Sequence, residues 1–205
     1  MNAIKLNFIN NSSDTNNSQV VIFQKNEAAP NAPAIAWKVI KNCVPGHNYP
    51  FTFPLQTHVA VEDSQGNLGN QHAVTPGQVY SVEAGASGHT LTPAGPATGA
   101  NRVEVLNNTN QQTVTARIYR DQQLLATEHN VAPGQTAAFE FKPAISISVS
   151  PGEKPGHMLY GAIISNVNTE LALEGIASAD IIMDGGGPDP NPPPFSFSLQ
   201  NVQYA

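Results

Sequence analysis

"NCVPGHNYPFTFP" at residues 42–54 and "NVAPGQTAAFEFKP" at 130–143 decide the fold. Asn42, Pro45, Gly46, Phe51 and Phe53 recur as Asn130, Pro133, Gly134, Phe139 and Phe141, each 88 residues on, and Val59 and Val61 meet Ile147 and Val149 in the same register. A Pro-Gly turn is common by itself. Seven ungapped matches across a turn and two alternating stretches instead imply a duplicated unit. Upstream, "LNFINNSSDTNNSQVVIFQKN" (6–26) parallels "VEVLNNTNQQTVTARIYRDQ" (103–122), with Asn10 and Asn11 meeting Asn107 and Asn108 at an offset of 97. The longer connection "NEAAPNAPAI" (26–35) absorbs the difference.

Outward from these stretches, apolar residues alternate with polar ones in "KLNFIN" (5–10), "QVVIFQ" (19–24), "THVAVED" (57–63), "QVYSVEA" (78–84), "RVEVLN" (102–107), "TARIYRD" (115–121), "AAFEFK" (137–142) and "AISISVS" (144–150). Alternation puts successive side chains on opposite faces, so each reads as a half-buried strand. Helical periodicity is absent and Gly/Pro punctuation is frequent. The fold class expected is all-β: two related sandwich-like, immunoglobulin-like halves in tandem. Their expected bounds are 1–98 and 101–184, joined by the Pro/Gly-rich "TPAGPATGAN" (92–101).

The end of the chain, "GGGPDPNPPPFSFSLQNVQYA" (185–205), reads as a hinge at 185–194 followed by a strand at 195–205. The hinge residues are Gly185, Gly186, Gly187, Pro188, Pro190, Pro192, Pro193 and Pro194. Phe195, Phe197, Leu199 and Val202 are the candidate assembly residues of the strand. "FSFSLQN" alternates as "KLNFINN" and "RVEVLNN" do, so it is expected to be the first strand of an unfinished third copy. A lone strand must find partners for its backbone, and two are expected: a sheet edge of its own chain or that of a neighbour. The second would build a fibre of self-associating subunits by strand donation.

Only 12% of residues are charged, against about 25% in typical domains, while Asn and Gln together number 34. The surface is therefore neutral and amide-rich, suited to a neighbouring chain or to a sugar. A carbohydrate- or surface-binding module is accordingly the alternative function. A net charge of −6 with no run of Lys or Arg argues against a phosphate-backbone partner, so no nucleic acid is expected. Apolar runs such as "YGAII" (160–164) fall far short of the roughly 20 residues that span a bilayer. "MNAIKLNFIN" lacks the apolar core of a signal peptide, so a cytoplasmic chain is expected.

No catalytic signature, cofactor motif or metal-ligand spacing is found. Cys43, the single cysteine, reads as a buried small hydrophobe. The thiol alternative would need a base, and His47 lies beyond a Val-Pro-Gly turn. His47, His58, His72, His89, His129 and His157 share no ligand spacing; His58 with Glu62 comes nearest. Ser87 in "GASGH" lacks the nucleophile-elbow pattern, and "DGGGPDPN" (184–191) lacks calcium-loop spacing. Trp37 alternates with Ile35 and Val39 and reads as core. Tyr49, Tyr80, Tyr119, Tyr160 and Tyr204 are dispersed.

"LNFINNS", "VVIFQKN", "AWKVIKNC", "NTELALEGIASADIIMDGGG" and "FSLQN" together resemble a group of small, poorly characterised bacterial β-rich proteins along the whole length. Members often carry the label aromatic ring-opening dioxygenase. That label implies ferrous iron held by His and carboxylate ligands, a third functional class for which the sequence offers no ligand set.

Overall fold

The computed structural model describes residues 2–16, 18–85, 88–160, 169–189 and 191–205. All described elements are strands. A first group comprises β1 (Ala3–Asn10), β2 (Val20–Gln24), β3 (Ala34–Ile40) and β4 (Asn48–Pro54). A second comprises β5 (Thr57–Glu62), β6 (His72–Val74), β7 (Gln78–Gly85) and β8 (Gly88–Pro96), and a third β9 (Arg102–Asn107), β10 (Val114–Arg120), β11 (Gln123–Val131) and β12 (Thr136–Glu140). The last holds β13 (Ala144–Val149), β14 (Met158–Leu159), β15 (Thr169–Ala172), β16 (Ile176–Asp184) and β17 (Ser196–Tyr204). The expected all-β, sandwich-type class is the one observed, and each of the eight alternating stretches overlaps a strand, "AAFEFK" running past the end of β12 at Glu140.

The grouping of strands differs from tandem halves. One compact unit is Met1–Gln24, Pro33–Leu55 and Lys142–Ala205; the other is Lys25–Ala32 and Gln56–Phe141. The first unit holds sheets ordered β17-β16-β1-β4 and β14-β3-β2-β13-β15, and the second β8-β7-β9-β12 and β11-β10-β5-β6. Thus the first strand group pairs with the last, and the second with the third. The divisions 1–98 and 101–184 do not correspond to these units, because repeat boundaries in sequence carry no information about which copies share a core.

The two stretches that match in sequence make matching hydrogen bonds. β1 runs parallel to β16 and antiparallel to β4; β9 runs parallel to β7 and antiparallel to β12. Leu6 faces Phe51 and Phe8 faces Tyr49, just as Val103 faces Phe139 and Val105 faces Ala137. Asn42 and Asn130 have φ of 53° and 57°, and Gly46 and Gly134 of 80° and 79°, so both turns need the same left-handed steps. The Gly46 N–H donates to the Asn10 carbonyl and the Gly134 N–H to that of Asn107, each at 2.7 Å. Burial is not copied so closely: Phe53 and Phe139 are buried, whereas Phe51 and Phe141 are half-buried.

Central position explains where alternation fails. β2 lies between β3 and β13, and Val20, Val21, Ile22 and Phe23 are all fully buried, so both of its faces are core. Trp37 on β3 packs edge-on against Phe53 on β4 at 5.2 Å, joining the two sheets of the first unit as a core residue.

Candidate functional site

β17 belongs to the sheet of its own chain. It pairs antiparallel with β16, Asp184 facing Ser196 and Ile181 facing Leu199. Its topological counterpart is β8 beside β7, not β1 or β9, which corrects the reading as the start of a third copy. Residues Val103–Asn107 of β9 pair with Gln78–Val82 of β7, as Lys5–Asn10 of β1 pair with Ser178–Met183 of β16. Phe197 is buried, while Phe195, Leu199 and Val202 are half-buried, as befits inward residues on a strand open along one side.

The hinge residues form a closed connection rather than a loose tether. The Ser13 N–H donates to the Gly185 carbonyl (2.9 Å) and the Gly186 N–H to that of Pro193 (2.8 Å). A Cβ on Gly186 would come within 2.6 Å of the Phe195 ring, so glycine is needed there for close packing. Pro188, Pro192, Pro193 and Pro194 continue this connection, and Pro190 lies outside the described residues.

An edge strand exposes a row of backbone donors and acceptors, and the duplicated unit shows how each edge is managed. β4 carries Pro50 and Pro54, which have no N–H to offer. β12, its counterpart, has Ala138 in place of Pro50 and is capped instead: Asn26 donates to the Ala138 carbonyl (3.0 Å) and accepts from the Glu140 N–H (2.9 Å). The Glu27 N–H completes the cap on the Glu140 carbonyl at 2.8 Å. β8 contains Pro93 and Pro96 and a register shift. In the other sheets β6, β14 and β15 have two to four residues, and β11 carries Glu128 and a register shift. β17, "SFSLQNVQY", has nine residues with neither charge nor proline. Its pairing is regular over Ser196–Gln200 and shifts beyond, where Asn201 takes φ of 50°.

Asn201 thereby reaches Asp180. Its Nδ2 donates to Asp180 Oδ2 at 2.6 Å while Asn7 Nδ2 donates to Oδ1 at 3.1 Å. These groups border a groove of about 420 Å³ across the outward face of the sheet, with Lys5, Thr52 and Ser178. The Asn7 Oδ1 is buried there without a hydrogen-bond partner. In the second unit the positions of Lys5 and Thr52 are Arg102 and Glu140, which close on each other at 2.7 Å. The groove can accept from and donate to hydroxyls, but its outward residues supply no aromatic platform.

The remaining candidates are dispersed. Glu62 pairs with Arg117, not with His58. Ser87 lies outside the described residues. Among the described residues, no group of three or more His, Cys, Asp or Glu could hold a metal ion. Tyr49 and Tyr80 serve the backbone, their hydroxyls accepting from the N–H groups of Val44 (3.0 Å) and Thr75 (2.8 Å). Tyr119 is buried, whereas Tyr160 and Tyr204 are exposed at separate places.

Cys43 is fully buried, its Sγ 3.3 Å from the Ile40 carbonyl, whereas His47 is exposed. Burial pushes the thiol up to about 11 from 9.0. A raised folded-state value means that this stabilisation is complete below the unfolded value and is lost as pH rises through about 11. We expect a loss on the order of 2–3 kcal/mol between pH 9 and 11, read from urea unfolding. Cys43→Ala should flatten that slope; an unchanged slope would show that the thiol titrates alike in both states.

Compared with family models, curated proteins and solved structures, the chain matches none. The described strands define an all-β, sandwich-type protein of four sheets, in which β17 is an edge strand with neither charge nor proline. No described helix is long and apolar enough to cross a membrane.

Proposed function

We propose that the protein is a non-enzymatic, self-associating structural β protein whose β17 pairs antiparallel with β17 of a second copy. One observation carries this reading: the other sheet edges are blocked, capped, short or charged, and β17 is none of these. The occupant follows from the strand's chemistry. A strand without charge meets its own copy without repulsion, and an antiparallel pair is self-complementary about a two-fold axis. Pairing over Ser196–Gln200 also covers the half-exposed Leu199 and Phe195.

Such a contact closes at two copies; a fibre needs a second, head-to-tail contact. Light scattering of the 21.7 kDa chain should report two copies at raised concentration, reverting to one on dilution. Ser198→Lys places like charges near the two-fold axis and should hold the chain as one copy, and mixing it with Ser198→Glu should restore pairing. A wild-type chain that stays single at its highest soluble concentration, or a Ser198→Lys chain that pairs as well as wild type, would sink this reading.

A further inference from the structure

We infer that residues 142–205 are an exchangeable arm, which one copy can donate to residues 1–24 and 33–55 of a second copy. This deepens the self-association reading but stands on a different contact, within the first unit rather than at the β17 edge.

The first unit is assembled from segments that flank 56–141 in sequence. Between those segments run the parallel pairing of Lys5–Asn10 with Ser178–Met183 and the antiparallel pairing of Val20–Phe23 with Ser146–Val149. The Gln24 amide adds bonds to the carbonyls of Lys142 (3.1 Å) and Ala144 (2.7 Å). Phe8, Phe23, Ile147 and Ile181 are buried where the segments meet. Every one of these contacts is available, unchanged, between two copies.

Covalent and non-covalent ties decide which segment moves. Phe141, Lys142 and Pro143, the three residues between β12 and β13, are the covalent connection of the arm to the second unit's β12. A short connection of this kind is a common exchange hinge. The 1–55 side is held further, because its excursion Lys25–Ala32 belongs to the second unit, with Asn26 and Glu27 bonded along β12. The chain's own organisation is a precedent. Its second strand group shares sheets with the third and its last with the first, so segments distant in sequence already find each other to build one unit.

Donation from each copy to the next is head-to-tail, so it propagates into an open chain unless the rotation closes a ring. That is the second contact which isologous β17 pairing lacks. Intramolecular closure competes with donation, so the ratio of exchanged to closed chains rises about tenfold for each tenfold rise in chain concentration during refolding.

The test uses full-length chains in a Cys43→Ala background. Lys5→Cys in one chain and Ser178→Cys in another place a thiol on each side of the β1–β16 register. Co-refolding at high concentration should give a disulfide-linked heterodimer, and mixing the two after folding should not. A single chain carrying both substitutions is the control that the pair can close. Light scattering of refolded wild type is a second readout, since exchanged species persist on dilution whereas edge-paired dimers revert. Ser198→Lys should abolish edge pairing and leave the disulfide-linked heterodimer, which separates the two contacts. Monomers alone after concentrated refolding, by both readouts, would overturn the inference.

Discussion

Asn10→Ala and Asn107→Ala will each remove about 3–5 kcal/mol of stability, far more than an exposed asparagine does. Both residues are fully buried at the ends of β1 and β9. Asn10 donates to the Cys43 carbonyl at 2.6 Å and accepts from the Ser12 N–H and hydroxyl at 2.9 and 2.6 Å. Asn107 donates to the carbonyls of Val131 and Gln112, both at 2.8 Å, and accepts from the Thr109 N–H and hydroxyl at 3.0 and 2.7 Å. Each amide thus satisfies a strand end, the turn after it and the turn 33 or 24 residues away. Alanine leaves those backbone groups buried without partners, at roughly 1–3 kcal/mol each. Neighbouring Asn11 and Asn108 are exposed, and their alanine variants should lie within about 0.5 kcal/mol of wild type in urea unfolding. If Asn10→Ala costs no more than Asn11→Ala, the amide is not what ties strand to turn.

Phe23→Ala should open the molecule far from the substitution in sequence. Phe23 is fully buried with Val21, Ala34, Ala36 and Leu159, and its loss should cost about 3–5 kcal/mol. Amide exchange at 144–149 and 176–184 should then accelerate by on the order of 10²–10³, while 57–96 keeps its protection. Phe139→Ala should do the reverse, exposing 57–96 and sparing 144–184. Tandem halves would give the opposite outcome, with 57–96 loosening alongside Phe23. That result would overturn the interleaved organisation.

Strand existence is legible in the sequence, because alternation is a local pattern that "NYPFTFP" and "TAAFEFK" carry on their face. The partnering of repeats is not, since either copy of the Pro-Gly turn fits either half. Full burial of Val20–Phe23 was hidden for a related reason: a four-residue apolar run shows that both faces are covered only once its flanking strands are known. Gly185–Pro194 reads as a tether by composition, but the Ser13 and Gly186 hydrogen bonds that close it come from non-local geometry. Of the candidate site, the uncharged strand at 196–204 was visible. What makes it distinctive was not, because the capping of β12 by Asn26 spans 112 residues. The Asp180 cluster likewise gathers Asn7, Asp180 and Asn201 from three separate strands.

The parallel pairing of β1 with β16 also sets a timetable on the ribosome. Residues 56–141 contain all of the second unit's sheets and can close as soon as they emerge. Residues 1–24, with Phe8 and Val20–Phe23 still bare, wait until residue 184 has been made. At about 5–20 residues per second that interval lasts on the order of ten seconds. Throughout it the nascent chain carries those apolar strands without the partners that will cover them, and they are the last of its buried surfaces to close.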